Sequence, residues 1–221
     1  MKLFIRAIVK YLLGVVIVGV LLFVPANSLY YYNGWLFMGI LFIPMFLAGI
    51  VLMIKNPKLL ENRLNTKEKE SEQKYVLLFS GLMFIIGFVL AGLNYRYNWN
   101  NLSNTVIIVS SIVFVIAYIL YAEVLRENTF LLRTIEVTKN QKVVDTGLYG
   151  IIRHPMYAIT IILFLMMPLI LNSIYSFFVF LIYPFIIVKR INNEEKVLLK
   201  ELDGYKEYMK KVKYRLIPYI W

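Results

Sequence analysis

Cysteine is absent from these 221 residues, and histidine occurs once. The first absence excludes disulfides, thiolate-bound metals and cysteine nucleophiles. The second removes the basis for a His-rich metal site, so no metal is expected. Acidic residues are the minority charge, 13 against 24 Lys and Arg, for a net charge of +11. Charged residues of both signs make up only 17% of the chain, and no internal repeat is visible. What remains is apolar. The chain is 60% hydrophobic with a mean hydropathy of +0.69, above the roughly 45–50% apolar content of soluble domains. A lipid bilayer is the solvent such a composition fits.

Several apolar runs approach the ~20 residues that a helix needs to cross the hydrocarbon core. They fall at about 7–25, 35–54, 75–93 and 105–122, followed by a shorter pair at about 157–171 and 174–190. Pro168 and Pro184 interrupt the last two, and Asn172-Ser173 between them reads as the tight turn of a helical hairpin. Whether both arms cross fully stays open at this level. The expected fold is all-α: a polytopic membrane bundle of five to six transmembrane helices, the last two forming the hairpin. A cytoplasmic amphipathic helix running from Leu198 through Tyr208 follows.

The cations test this map. Counted against these spans, 23 of the 24 Lys and Arg fall on one side and only Arg96 on the other. The positive-inside rule places both termini and the long polar segments in the cytoplasm, at the inner membrane if the host is prokaryotic. Orientation and contact with anionic lipid account for the net charge. No basic-aromatic nucleic-acid module is visible, and no nucleic-acid partner is expected. Lys2, Arg6 and Lys10 before the first run resemble a signal peptide, but residues 24–28 offer no small-x-small cleavage site, so a retained span is expected.

The chain divides by chemistry, with transmembrane helices over 1–122 and a chemically active region over 123–221. In the first part, Gly14, Gly19, Gly39, Gly49, Gly81, Gly87 and Gly92 read as small residues for helix packing. The loop 55–74, with Lys67-Glu68-Lys69-Glu70, reads as a solvated connector, and Tyr30, Tyr31, Tyr32 and Trp35 as an interfacial aromatic belt.

In the second part, Arg153-His154-Pro155 opens a helix. Proline at the first helical position puts His154 at the N-cap and leaves the positive helix end as a potential anion site, with Arg153 beside it. The competing view is that Arg153 reaches lipid headgroups and His154 merely caps. Beyond the hairpin stand Glu194 and Glu195, about 100° apart on a helix. Both cannot pair with Arg190, so at least one is available to a cation such as an amino group. Tyr205, Tyr208, Tyr214 and Trp221 follow along a basic segment that either lies on the membrane or covers a ligand. An anion site and a cation site separated by an aromatic-lined apolar gap suit a zwitterionic amino acid joined to a nucleoside.

The order Gly147-x-Tyr149, Arg153-His154-Pro155-Met156-Tyr157, Glu194-Glu195, Tyr205-x-x-Tyr208 and Tyr214-Arg215-Leu216-Ile217-Pro218 resembles the isoprenylcysteine carboxyl methyltransferase family. Asn128-Thr129-Phe130 and the Gln141 region resemble its prokaryotic members, and the likeness covers about residues 120–221. The resemblance implies an integral-membrane methyltransferase using S-adenosyl-L-methionine at the cytoplasmic face. Its cofactor pocket would comprise Tyr149, Arg153, His154, Pro155, Tyr157, Glu194 and Glu195, with Arg153 and Glu195 closest to the chemistry. Asn128, Tyr205, Tyr208 and Arg215 are the candidates on the acceptor side. Two positions depart from the family: Ile159 where glycine is frequent, and Leu148 where proline is frequent.

Methyl transfer from a sulfonium is an in-line displacement, so positioning supplies most of the catalysis. A carboxylate acceptor needs no general base, whereas an amine or hydroxyl would call on Glu195, Glu194 or His154. The expected partners are membrane lipids and a lipophilic acceptor. Two other classes compete: an NADPH-dependent sterol-type reductase, and a non-enzymatic lipid-binding or scaffold protein.

Overall fold

The computed structural model describes residues 2–64, 71–132, 134–135, 137 and 141–221, with backbone alone for 71–73. The segment Lys67-Glu68-Lys69-Glu70 lies outside the described residues. Among them the chain is helical and has no strand. The elements are α1 (Lys2–Ala26), α2 (Tyr32–Lys55), α3 (Pro57–Leu64), α4 (Ser71–Tyr97), α5 (Asn104–Glu127), α6 (Pro155–Ile170), α7 (Ile174–Phe180), α8 (Tyr183–Glu201) and α9 (Tyr205–Lys211). A 3₁₀ turn at Gly147–Gly150 precedes α6.

Five helical segments are long and apolar enough to cross a membrane: α1, α2, Lys74–Tyr97 of α4, α5 and the combined Ile174–Glu201. The polytopic bundle read from hydropathy is thus the observed fold. Alternating direction gathers the two ends of the chain, α3 and the 3₁₀ turn on one face, called here the terminal face. The three short turns lie on the other.

Those short turns share a device. Asn27, Asn98 and Asn172 each take a left-handed backbone, with φ of 49°, 49° and 58°, a conformation asparagine tolerates better than most L-residues. Ser103 and Ser173 then cap α5 and α7, their hydroxyls accepting from Val106 and Ser176 amides.

The hairpin arms are unequal. α6 has 16 residues against 24 in α5, about 24 Å against 36 Å of helix. Yet its tip reaches the far face. Tyr31 Oη donates to Leu171 O at 2.5 Å and Asn33 Nδ2 to Ile170 O at 2.9 Å. Asn94 Nδ2 donates to Asn172 O at 2.8 Å, and Leu102 N to Asn172 Oδ1 at 2.6 Å. The tip therefore stands level with the other turns. The missing length falls at the start of α6, which is recessed into the bundle.

The returning arm is not one helix. α7 stops at Phe180 and α8 restarts at Tyr183, with Pro184 in its first turn, where the missing N–H does least harm. The expected amphipathic helix from Leu198 through Tyr208 is also divided. α8 ends at Glu201, and Gly204, with φ of 81°, turns the chain into α9. Tyr205 and Tyr208 are buried and do not face lipid.

Packing between helices is aromatic at the centre. Phe84 meets Phe180 edge-on at 5.4 Å and Phe164 at 4.8 Å, while Phe37 contacts Phe88 and Phe114. Such close contacts matter because lipid tails are as apolar as the side chains they replace. At Gly92 an added Cβ would lie 2.5 Å from Leu22 O, so α4 approaches the α1 backbone closely there. Gly39, Gly49 and Gly81 meet nothing within 4 Å, which corrects the packing role expected of them.

Candidate functional site

The recess at the start of α6 is a pocket between the end of α5, residues 130–132, 134–135 and 141–144, the 3₁₀ turn, α8 and α9. Its space amounts to about 800 Å³ with the open mouth included. Leu131, Leu132, Ile135, Val144, Leu198 and Leu202 supply apolar wall. Asn128, Gln141, Lys142, Arg153, His154 and Glu194 supply polar or charged groups, and Tyr149, Tyr157, Tyr205 and Tyr208 the aromatic lining.

The 3₁₀ turn is held to α5 by a residue that spacing did not single out. Glu127 accepts from Thr146 Oγ1 at 3.0 Å and from Leu148 N at 3.2 Å. Gly147 has φ of 48°, and a Cβ there would collide with the Glu127 carboxylate, so both conformation and space demand glycine. The Leu148 N–H bond also gives the departure from proline a physical sense, because proline has no amide hydrogen to donate. Tyr149, placed by this turn, bonds Asn128 through its side chain, and burial pushes its phenol up. Its carbonyl accepts from Tyr208 Oη at 2.8 Å, which fastens α9 over the pocket.

Arg153 and His154 form a short ladder with the C-terminal segment: Arg153 N donates to Tyr214 O and His154 N to Arg215 O. His154 is the N-cap residue of α6 and Pro155 its first helical position, as expected. Their side chains converge on Glu195, which is 3% exposed. Glu195 Oε1 accepts from Arg153 Nε at 2.7 Å and lies 3.2 Å from His154 Nε2. Its Oε2 accepts from Arg215 Nε at 2.9 Å and lies 2.7 Å from Arg215 Nη2. Arg153 Nη1 also donates to Val212 O and Lys213 O. This cluster ties α6, α8 and the tail together. Glu195 and Arg215 do not line the pocket, and neither does Pro155.

The adjacent glutamate points elsewhere, as the 100° between successive helical residues requires. Glu194 lines the pocket, and its Oε2 accepts from Tyr157 Oη at 2.5 Å. Tyr157 Oη in turn accepts from Arg190 Nε at 2.8 Å. Tyr157 thus links Arg190 and Glu194 through its hydroxyl. Tyr205 closes the opposite wall. Its hydroxyl is buried with no hydrogen-bond partner among the described residues, while burial and the charges of Glu195 and Glu194 push its phenol up. It remains a neutral O–H donor, and an orphaned donor in a cavity wall marks a place for an acceptor. Ile159, the second departure, belongs to the apolar core and does not line the pocket.

Carboxylate, orphaned hydroxyl, aromatic faces and apolar wall together fit a small zwitterion carrying a heteroaromatic group. Bundle and pocket define a class, the polytopic helical membrane protein with a ligand site recessed beneath one face. Residues 106–200, from α5 almost to the end of α8, match the model of the Isoprenylcysteine carboxyl methyltransferase (ICMT) family. The chain is thus similar to that family over less than half of its length. The mouse Delta(14)-sterol reductase TM7SF2 is 31% identical over 93 residues, 41% of this chain and 22% of the reductase. The chain therefore matches less than a quarter of that relative's length.

Proposed function

We propose that the chain is a membrane methyltransferase that takes S-adenosyl-L-methionine as donor and methylates the carboxylate of a lipophilic acceptor at the cytoplasmic face. The observation carrying this reading is Glu194, a carboxylate in the wall of a pocket of mixed polar, aromatic and apolar lining, braced by Tyr157 and Arg190. It suits the α-amino group of the donor. Tyr205 offers its unpartnered hydroxyl to an acceptor atom of the same molecule, and the apolar wall receives the nucleoside. The methyltransferase family match agrees with this assignment.

Within this reading Glu195, Arg153, His154 and Arg215 are positioning residues, occupied with one another and fixing the end of α8 against the start of α6. Asn128 and Tyr208 hold the 3₁₀ turn and α9 in place. Residues 123–221 then form the donor-binding region and 1–122 its membrane support. The bound donor supplies an electrophilic methyl group on sulfur. A lone pair of the acceptor carboxylate forms the new O–CH₃ bond as the C–S bond breaks and its electrons pass to sulfur, so no proton needs removal. Chain groups contribute alignment and exclusion of water.

A second reading has one observation in its favour, the likeness to the Delta(14)-sterol reductase, and would put NADPH in the pocket. Phosphates suit it poorly. Arg153 is already engaged by Glu195 and two carbonyls, which leaves Lys142 as the other Lys or Arg of the lining among the described residues. The test is incorporation of tritiated methyl from S-adenosyl-L-methionine into lipid extracts of membranes containing the protein. A base-labile methyl ester, reduced at least about tenfold by Glu194→Gln, is the expected outcome, since loss of one charge-assisted contact costs about 1.5–3 kcal/mol. Incorporation no greater than in membranes lacking the protein contradicts the reading.

A further inference from the structure

A second cavity lies on the membrane side of the bundle, between α1, α2 and α3. It runs along α1 from Phe4 to Ile17 and along α2 from Met45 to Ile54, roughly 20 Å of helix on the α1 side. Its lining is apolar except near the terminal face, where Lys10, Tyr11 and Arg63 stand. Gly49 lies in its wall, and a Cβ added there would meet nothing within 4 Å, so the groove is open at that point.

Arg63 joins this groove to the first pocket. It comes from α3, in the loop that reads from sequence as a plain connector. Its Nη1 donates to Leu132 O at 3.2 Å and lies 3.7 Å from Met156 Sδ, and both residues wall the first pocket. Its Nη2 donates to Tyr121 Oη, and its guanidinium sits 5.8 Å from the centre of that ring. Every one of these partners is neutral. A partly buried guanidinium whose partners are all neutral has no counter-charge among the described residues and can pair with an anion.

We propose that Arg63 receives the anionic head of the methyl acceptor and that the groove between α1 and α2 holds its apolar chain. The occupant is a single-chain amphiphile bearing a carboxylate, which approaches the pocket from the membrane at the Leu132–Met156 wall. Charge complementarity and the shared wall carry the assignment. The site rests on the methyl-transfer reading for its purpose but not for its existence.

Photolabelling of the full chain in detergent tests it, with palmitic acid carrying a diazirine near its chain end as probe and the matching palmityl alcohol as control. The acid is expected to label peptides from residues 4–17 and 45–54, and to do so about tenfold more than the alcohol, one charge-assisted contact being worth that ratio or more. Arg63→Met should bring the acid down to the alcohol's level, and Gly49→Leu should block both. Binding of S-adenosyl-L-methionine should persist in Gly49→Leu, whose position does not line the first pocket, and this reports that the variant is folded. Equal labelling by acid and alcohol, indifference to both substitutions, or competition by dioleoyl phosphatidylcholine as strong as by unlabelled palmitate overturns the proposal and marks the groove as a bulk-lipid site. Carboxylate- and Arg63-dependent labelling in a protein that takes up no S-adenosyl-L-methionine would instead leave the site standing and remove the methyltransferase reading.

Discussion

Glu194 and Glu195 are adjacent in sequence and opposite in role. Glu195 is shut beneath Arg153, His154 and Arg215, so removing its carboxylate leaves the buried Arg153 and the half-buried Arg215 without their counter-charge. Glu195→Ala is expected to destabilise the protein by about 3–5 kcal/mol, as breaking a buried ion pair does, read as a fall in unfolding midpoint of the solubilised protein. Glu194 faces the pocket, so Glu194→Gln should leave that midpoint nearly unchanged and weaken donor binding. Tyr208→Phe removes the bond to Tyr149 O and should cost about 1–3 kcal/mol by leaving a buried carbonyl unpaired. Helical geometry makes the divergence of the two glutamates legible in the sequence, but not which of them turns inward. That depends on Arg215 and Val212, contributed by the tail after the Gly204 turn.

The hairpin and the 3₁₀ turn are the elements that create the pocket. Asn94 holds the hairpin tip through donation to Asn100 O and Asn172 O and acceptance from Asn100 N. Asn94→Ala should lower stability by about 2–3 kcal/mol, at roughly one per lost bond, measured by denaturant unfolding. Gly147→Ala meets both an unfavourable φ and the Glu127 carboxylate, so it should displace the turn and weaken ligand binding. Adding Glu127→Ala to Gly147→Ala frees the space but loses the turn's anchor, and binding should not recover. The cap at His154 and the hairpin at Asn172 are visible as local signals. Glu127 and Arg63 are not. Their partners lie 19 to 93 residues away in sequence, and no helical or turn periodicity reports such contacts. The break between α8 and α9 had a visible cause in Gly204, which amphipathic spacing across Leu198 to Tyr208 masked.

At the scale of the molecule, hydropathy located the membrane helices because apolar length is a direct consequence of bilayer thickness. It said little about which faces pack, since a helix in lipid is apolar all round and only close approaches such as that of Gly92 of α4 to α1 mark the interfaces. The cation distribution predicts that the terminal face is cytoplasmic. A chain without cysteine allows a direct check. Tyr219→Cys, at an 88% exposed position, should react with a membrane-impermeant thiol reagent only in inside-out vesicles, and Tyr30→Cys, at 74%, only in right-side-out ones. The reverse pattern contradicts the orientation.

The recessed pocket is the feature on which the account depends, and calorimetric titration of the solubilised protein tests it most directly. S-adenosyl-L-methionine, its demethylated product S-adenosylhomocysteine, and NADPH would be run against the wild type and Glu194→Gln. The account predicts that both methionine-derived nucleosides bind, that Glu194→Gln weakens them about tenfold or more through loss of a charge-assisted contact, and that NADPH gives no heat. Binding of NADPH alone, or of none of the three to folded protein, contradicts it.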